Sequence, residues 1–250
     1  MDYDKTLQKH IRCKKGDVAK YVLIPGDPGR AERIAAKFDQ AEKIAVNREY
    51  TVFTGKKNGV ELTVCSTGIG GPSAAIAMEE LAKLGADTFI RVGSAGGRKA
   101  EMPVGSVAVI NSAYRGEGTS FEYLAANYPA VADDKITDAL KKATLDLGED
   151  VYIGGSYTRD AYYMQNDELN QELLNTQMIV SEMECATLFI VAAKRNLKVG
   201  AIVGTDSNII KKKQFSLEEK DRLFKEAESK SIDIAIQALV NLAKAEIKKE

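Results

Sequence analysis

Two hydrophobic periodicities alternate along the chain. Nearly continuous apolar runs, typical of strands buried on both faces, occupy 21–25, 47–55, 60–67, 86–93, 105–114, 151–157, 178–182 and 199–207. Apolar residues recur at helical spacing in the stretches between them, at 28–38, 68–85, 134–147, 167–175, 184–195 and 216–247. This alternation predicts one α/β domain over residues 1–250, with a mostly parallel, twisted central sheet and helices on both of its faces.

Turn-forming residues mark where several of these elements meet. Gly26, Asp27 and Pro28 end the first apolar run, and an aspartate followed by proline is a typical helix start. The free N–H groups at such a start favour an anion beyond the strand end. Residues 56–59, Lys-Lys-Asn-Gly, predict the turn of a β-hairpin. The glycine-rich segment 93–97 predicts a break between two strands.

The bulk composition excludes several classes of protein. With 250 residues, 44% of them hydrophobic and 28% charged, the chain has the composition of an ordinary globular protein. A formal net charge of -1 gives no bulk attraction to nucleic acid or to membranes. The start, MDYDKTLQKH, is too charged for a signal peptide, and no stretch approaches the roughly 20 apolar residues of a membrane span. We therefore expect a cytoplasmic protein that binds neither nucleic acid nor membranes.

The chain is poor in the residues of metal sites and nucleophilic catalysis. Cys13, Cys65 and Cys185 are widely separated, as expected of reduced thiols rather than of a disulfide framework. The one histidine, His10, leaves a zinc site or a Ser/His or Cys/His pair without support. We expect no metal and no cofactor, and chemistry that depends on carboxylates and arginines.

Charged residues and glycines gather where the predicted strands end. In α/β sheets ligands bind outside the carboxyl ends of the strands. Glycines and arginines there favour a phosphate held by backbone N–H groups and guanidinium forks, and carboxylates suit the hydroxyls of a sugar. The residues at these ends are Gly26, Asp27, Arg91, Gly93, Ser94, Glu182, Met183, Glu184, Thr205 and Asp206.

Each candidate also has a structural interpretation. Arg91 could extend its charge to solvent from an apolar strand, although such a position is costly without an anionic partner. Arg30 could be a surface cation on its helix. Glu184 and Asp206 could each cap a helix. Tyr162, with its neighbour in sequence, could be a core or rim residue rather than a platform for a ligand.

Six sequence blocks, taken in order, resemble the nucleoside phosphorylase family. They are HIRCKKGDVAKYVLIPGDPGR, NREY, STGIGGPS, FIRVGSAG, SEMECATLF and VGTDSN. The resemblance covers about residues 10 to 245 and is to the hexameric purine nucleoside and methylthioadenosine phosphorylases, with their uridine phosphorylase relatives. It implies reversible phosphorolysis of a nucleoside, with inorganic phosphate as co-substrate. It also implies a homo-oligomer, a hexamer built from dimers, whose active sites are shared between subunits.

The resemblance assigns a role to most of the candidate residues. Glu184 takes the ribose hydroxyls, and Asp206 protonates the departing base, which requires a raised pKa. The implied phosphate site is Gly26, Arg30, Arg91 and Ser94, with Arg48 from the neighbouring subunit. The implied ribose site is Met183, Glu182 and Glu184, with His10 from that neighbour, and the implied base site is Tyr162 and Asp206.

The residues expected to contact the base favour a purine. Uridine phosphorylases carry a glutamine and, two residues on, an arginine after the aromatic pair, whereas here Gln165 is displaced and Glu168 stands near the arginine position. Asp206 lies where purine-specific members keep their proton donor. Lys220 and Arg222 are candidates for a cation that assists Asp206. We therefore expect a purine nucleoside phosphorylase, with a uridine or methylthioadenosine phosphorylase as the alternative, and a hydrolytic nucleosidase or a non-catalytic binding protein less favoured.

Overall fold

Helices and strands alternate through the described residues, which in this computed structural model are 7–164, 166–210 and 215–247. The strands are β1 (Tyr21–Pro25), β2 (Gln40–Asn47), β3 (Tyr50–Lys57), β4 (Val60–Cys65), β5 (Thr88–Gly97), β6 (Val107–Gly116), β7 (Ala130–Val131), β8 (Tyr152–Arg159), β9 (Met178–Glu182) and β10 (Lys198–Asn208). The helices are α1 (Pro28–Ala35), α2 (Gly71–Lys83), α3 (Thr119–Tyr123), α4 (Asp134–Asp146), α5 (Asp167–Leu174), α6 (Cys185–Arg195) and α7 (Leu217–Ile247).

The first strand passes into the first helix as the sequence predicts. Every residue of β1 is buried. The Asp27 carboxylate accepts hydrogen bonds from the backbone N–H groups of Gly29, at 3.0 Å, and Arg30, at 2.8 Å, while Pro28 begins the helix. Helix α1 ends at Ala35, three residues before the predicted end, and a short turn follows.

The sheet contains a closed ring of strands. Parallel pairing joins β4, β1, β5 and β10, and also joins β6, β8 and β9. Antiparallel pairing of β10 with β6 and of β5 with β9 connects these two groups, so that β5, β10, β6, β8 and β9 close on themselves. Strands β3 and β2 extend from β4 as an antiparallel meander, and the short β7 pairs with β6. The sheet is therefore more mixed than the predominantly parallel arrangement that the sequence predicts.

The predicted break at 93–97 is wrong, because β5 continues through Gly97. The glycines make room for side chains instead of turning the chain. A Cβ added to Gly93 would lie 3.0 Å from Arg91 Nη2 and 3.1 Å from a methyl group of Val203. The segment keeps its pairing with β10, and Gly96 pairs with Ser181 of β9. The sequence also failed to predict β2, which is mostly exposed, and the short elements α3 and β7.

Both faces of the sheet are covered by helices, as predicted. Phe89 of β5 belongs to an apolar cluster that includes Phe189 of α6. The next residue, Ile90, belongs to a second cluster that includes Leu239 of α7. This alternation places α2 and α6 on one face and α1, α4 and α7 on the other. Within the ranges given above, no helix is both long enough and apolar enough to cross a membrane.

Candidate active site

A cavity of about 1250 Å³ opens where two strands separate from a shared neighbour. Strand β5 pairs with β1 as far as Val92 and with β9 from Gly96, so a crevice forms between the carboxyl ends of β1 and β9. Crevices of this kind are the usual ligand sites of α/β sheets. The predicted residues that line this cavity are Gly26, Arg30, Arg91, Ser94, Tyr162, Glu182, Met183, Glu184 and Asp206.

Arg30 is a buried part of the cavity wall rather than a surface cation. Only 4% of it is exposed. Its Nη2 donates to Ser94 Oγ at 2.8 Å and its Nη1 donates to the Val92 carbonyl at 3.0 Å. Its Nε donates to the Glu228 carboxylate of α7. The guanidinium is thus fixed against the middle of β5, beside the hydroxyl that was predicted to bind phosphate with it.

Gly26 allows two loops to approach each other at the edge of the cavity. The Gly68 N–H donates to the Gly26 carbonyl at 2.9 Å. A Cβ added to Gly26 would lie 3.0 Å from the Gly68 carbonyl oxygen, closer than nearly all real Cβ contacts. A side chain at this position would therefore push the loops apart.

Arg91 is buried and retains unused donors. Its Nη2 contacts the Glu184 carboxylate, and its Nε lies 3.6 Å from Glu182, too far for a hydrogen bond. Among the described residues, neither Nε nor Nη1 has a hydrogen-bond partner. Burial acts to lower the pKa of Arg91, but the negative charge of Glu184 and then of its neighbours outweighs burial and raises it. Arg91 is therefore a charged donor inside the protein and does not extend to solvent.

The two glutamates at the end of β9 have different surroundings. Glu182 accepts four hydrogen bonds, from the hydroxyls of Ser156 and Thr158 and from the N–H groups of Glu184 and Cys185. One oxygen therefore holds hydroxyls of β8 and the other holds the start of α6, and a role of Glu182 in binding ribose stays a prediction.

Glu184 remains the carboxylate suited to a ligand. Its Oε1 accepts from the Gly70 N–H at 2.7 Å and its Oε2 contacts Arg91. It occupies the N-cap position of α6, as the structural interpretation expects, but within the described residues its side chain makes no capping hydrogen bond to that helix. Met183 lies between the two glutamates and lines the cavity.

Asp206 enters the cavity from a bulge in β10. The pairing of β10 with β5 shifts register between Thr205 and Ser207, opposite Ala95 and Gly96. A bulge redirects the side chain of the extra residue. The position is inside a strand, so the helix-cap interpretation of Asp206 is wrong.

The surroundings of Asp206 favour a protonated carboxyl. Burial raises its pKa, although the Ser207 hydroxyl, which donates to Oδ1 at 2.7 Å, and the charges of Arg30 and Lys220 oppose this shift. Of the two candidate assisting cations, Lys220 is near enough for its charge to lower the pKa of Asp206. Arg222 is paired with Glu226 at 2.8 Å.

Aromatic residues stand at the outer side of the cavity. Tyr162 lines it and is partly exposed, and the Arg159 guanidinium lies 5.6 Å from the centre of its ring. Tyr163 is 91% exposed and packs edge-on against Tyr162. Glu168 is exposed in the first turn of α5 and is not among the lining residues, and Gln165 lies outside the described residues.

Sequence reasoning missed Arg98, which also lines the cavity. This arginine directly follows the glycine segment and is 1% exposed. Its guanidinium donates to Asn170 of α5 and to Ser181 of β9. The available signal was an arginine next to a continuous apolar strand, but the predicted break at 93–97 concealed it.

His10 and Arg48 lie together, but neither lines the cavity. The Asn47 side chain donates to the His10 carbonyl at 2.6 Å, which places the β2–β3 turn next to His10. The His10 ring is held by Glu80, with 2.7 Å between Nδ1 and Oε1. Arg48 is exposed and has a positive φ of 54°. Their contribution from a neighbouring subunit stays a prediction.

Comparisons with known proteins agree with this geometry. A sequence model of the phosphorylase superfamily matches residues 20–241. The chain is 39% identical to a guanosine phosphorylase of Halorubrum lacusprofundi, over 95% of this chain and 98% of that protein. It is 43% identical to a uridine phosphorylase of Thermococcus kodakarensis, over 82% and 79% of the two chains. A crystal structure of uridine phosphorylase from Vibrio fischeri superposes with a TM-score of 0.90 at 32% identity, covering 95% of this chain and 99% of that one. The chain therefore belongs to the phosphorylase superfamily and is a nucleoside phosphorylase, a pentosyltransferase.

Proposed function

We propose that this protein is a purine nucleoside phosphorylase, which converts a purine nucleoside and inorganic phosphate into the free purine and a pentose 1-phosphate. The observation that carries the proposal is the position of Asp206, a carboxyl with a raised pKa that faces the same cavity as the arginines. Purines need such a group because their N7 accepts a proton as the glycosidic bond breaks. The similarity to a guanosine phosphorylase adds support.

The arginine end of the cavity suits the phosphate dianion. Arg91 offers two nitrogens that have no partner among the described residues, and Arg30 holds Ser94 beside it. Guanidinium groups bind phosphate oxygens through short, charge-assisted hydrogen bonds. A dianion fixed below C1′ stabilises the positive charge that develops on the sugar in the transition state. Orienting the two reactants in this way supplies roughly 7 to 11 kcal/mol of the barrier.

The carboxylate of Glu184 suits the 2′- and 3′-hydroxyls of the sugar. It is held from one side by Gly70 and from the other by Arg91, so its orientation is fixed before a ligand arrives. Because Arg91 also faces the phosphate, this contact couples the position of the sugar to that of the attacking group.

Asp206 is the proton donor for the departing base. As the C1′–N9 bond breaks, its electron pair moves onto the purine and a phosphate oxygen forms the new bond to C1′. The protonated Asp206 carboxyl gives its proton to N7, and Lys220 then stabilises the resulting carboxylate. The electron pair, the proton and the new bond are all accounted for without a further reactant.

Two alternative reactions have to be distinguished from purine phosphorolysis: phosphorolysis of uridine and hydrolysis of a nucleoside. The similarity to uridine phosphorylases favours uridine as the second candidate substrate. A hydrolytic nucleosidase would have no use for the donors of Arg91. We expect base release from inosine to depend on phosphate, to yield ribose 1-phosphate and to exceed release from uridine. Preferential cleavage of uridine would contradict the purine assignment, and full-rate release without phosphate would establish hydrolysis.

We also propose that the protein works as a homo-oligomer, a hexamer made of dimers, in the cytoplasm. His10 and Arg48 form one surface region outside the cavity, as expected of residues that complete the active site of a neighbouring subunit. The free cysteines are all buried thiols, in keeping with a reducing compartment.

A further inference from the structure

Arg98 is a buried cation that lines the same cavity as Asp206 and has no role in the mechanism above. Arg98 is 1% exposed and donates three hydrogen bonds: Nη1 to Asn170 Oδ1 at 3.1 Å, Nη1 to Ser181 Oγ at 3.0 Å, and Nη2 to the Asn170 carbonyl at 3.0 Å. A guanidinium has five N–H donors. Two therefore stay unused, the Nε–H and one hydrogen on Nη2, and in the described chain Nε has no hydrogen-bond partner.

The charge of Arg98 is only weakly compensated, by the Tyr157 ring, whose centre lies 5.8 Å from the guanidinium carbon. No Asp or Glu of the described ranges lies within ion-pair distance of it, whereas Arg30 contacts Glu228 and Arg91 contacts Glu184. Burial lowers the pKa of Arg98, and the nearby charge of Arg159 lowers it further. A buried cation without a counter-charge is destabilising unless a ligand supplies acceptor atoms.

Arg98 lies at the end of the cavity away from the phosphate residues, where the base of a nucleoside would be bound. Strand β5 carries Ser94 at the phosphate end, then Gly96 opposite the bulge of Asp206, and then Arg98. Four residues of strand extend about 13 Å, which places Arg98 beyond the sugar and on the base side of the cavity. Ser181, which accepts from Arg98, is the residue that pairs with Gly96.

We infer that Arg98 determines specificity for the base, by donating its Nε–H and its free Nη2–H to a carbonyl oxygen on the purine. The inference rests on the proposed function and adds the substrate class to it: 6-oxopurine nucleosides rather than 6-aminopurine nucleosides. A guanidinium can only donate, so it pairs with the O6 of hypoxanthine or guanine. The N6 amine of adenine also donates, and it leaves the buried donors unpaired.

A purely structural role for Arg98 makes a different prediction. Through Asn170 it also ties α5 to the sheet, and loss of that tie would affect all substrates alike. Lys99 provides the matched control: it is the next residue, its Nζ donates to the carbonyls at the end of the same helix, Leu174 and Thr176, and it does not line the cavity.

The test compares inosine with adenosine, which differ at position 6, in the wild type and in the variants Arg98→Met, Arg98→Lys and Lys99→Met. We expect the ratio of kcat/KM values, inosine over adenosine, to fall about 10- to 100-fold in Arg98→Met and less in Arg98→Lys. Lys99→Met leaves the ratio unchanged. An unchanged ratio in both Arg98 variants, or an equal fall in Lys99→Met, would overturn the inference.

Calorimetric binding of free hypoxanthine and adenine separates this inference from the proposed reaction. Weaker binding of hypoxanthine but not of adenine by the Arg98 variants supports the inference even if no purine nucleoside is cleaved, in which case only the proposed function fails. If uridine proves to be the substrate, uridine and cytidine form the equivalent pair, since they differ by a carbonyl and an amine at position 4. Retained discrimination in that pair after loss of Arg98 overturns the inference.

Discussion

Arg91 and Glu184 are in direct contact inside the protein, although 93 residues separate them in the chain. Both are almost completely buried, Arg91 on β5 and Glu184 after β9. A buried ion pair gains little stability, because taking two charges out of water offsets their attraction. Within the part of the chain that the structure describes, the pair leaves two Arg91 nitrogens without a partner, so its geometry is better explained by binding a ligand than by stabilising the fold.

Replacement of Arg91 by methionine is expected to affect stability and phosphate use separately. The lone Glu184 carboxylate would cost about 3–5 kcal/mol in free energy of unfolding, measured by urea denaturation. The KM for phosphate should rise about 100-fold or more, since two charge-assisted donors are lost.

A double variant separates these two effects. Arg91→Met combined with Glu184→Gln removes the unpaired charge and should recover much of the lost stability while phosphate use stays impaired. If phosphate use returned together with stability, Arg91 would only support the fold.

The contact between Arg30 and Glu228 is expected to govern phosphate affinity from a distance. Glu228 of α7 accepts from Arg30 Nε and also from Arg33, so it fixes the guanidinium that holds Ser94. Glu228→Gln should raise the KM for phosphate about 10-fold, with a smaller effect on kcat, because one charge-assisted bond to the guanidinium is weakened.

Asp233→Asn on the same helix is the control, since Asp233 pairs with Lys37 on the surface. Surface pairs contribute about 0–1 kcal/mol, so this variant should behave as wild type. Equal effects of the two substitutions would show that α7 as a whole, and not Glu228, determines phosphate affinity.

Asp206→Asn should remove the decline of activity that accompanies rising pH. The carboxyl must be protonated to act, so the wild-type kcat for inosine should fall as pH rises through the raised pKa of Asp206. The asparagine variant should be about 100- to 10,000-fold slower and lack this titration. 7-Methylinosine, whose base already carries the positive charge, needs no proton at N7 and should be cleaved by both proteins at similar rates. A variant equally slow on 7-methylinosine would argue against Asp206 as the acid.

The same substitution has an opposite effect on stability. The native state holds the Asp206 proton more tightly than the unfolded chain does, because burial raises the native pKa above its ordinary value. This contribution is fully present below the unfolded pKa and is lost as pH rises through the native pKa. At neutral pH Asp206→Asn should therefore unfold at a higher urea concentration than the wild type, and the difference should vanish in acid. A lower midpoint at neutral pH would contradict this account.

The sequence predicts the residues at strand ends well, because the signal is local. A buried apolar run that stops at an arginine or an acid fixes where that side chain lies along its strand, and the parallel arrangement then brings Arg91 and Glu184 to one rim. The sequence cannot tell which of two acids at one strand end is free. Glu182 is engaged by hydroxyls of Ser156 and Thr158, which belong to another strand.

Strand continuity was the other source of error. Glycines in the segment 93–97 are read locally as a turn, yet here they provide space for side chains from neighbouring strands. The mistaken break separated Arg98 from β5 and removed it from the candidate residues. Only pairing with both β9 and β10, which joins residues distant in sequence, keeps the segment extended.

Shared active sites lead to a complementation experiment. If Arg48 completes the neighbour's cavity, Arg48→Ala and Asp206→Asn should each be nearly inactive alone, the first because a phosphate donor is missing and the second because the acid is missing. In a mixed dimer, the cavity of the Arg48→Ala chain keeps its own Asp206 and receives Arg48 from the other chain. That cavity is complete, while the second cavity carries both defects.

Refolding the two variants as an equal mixture should therefore restore about one quarter of wild-type activity, since half of the dimers of a twofold interface are mixed and each has one intact site. A mixture of Arg91→Met and Asp206→Asn is the control: both residues line the cavity of their own chain, so every cavity keeps a defect and no activity returns. Recovery in neither mixture would mean that Arg48 does not act across subunits. In that case its place beside His10 on the surface, away from the cavity of its own chain, would exclude it from catalysis.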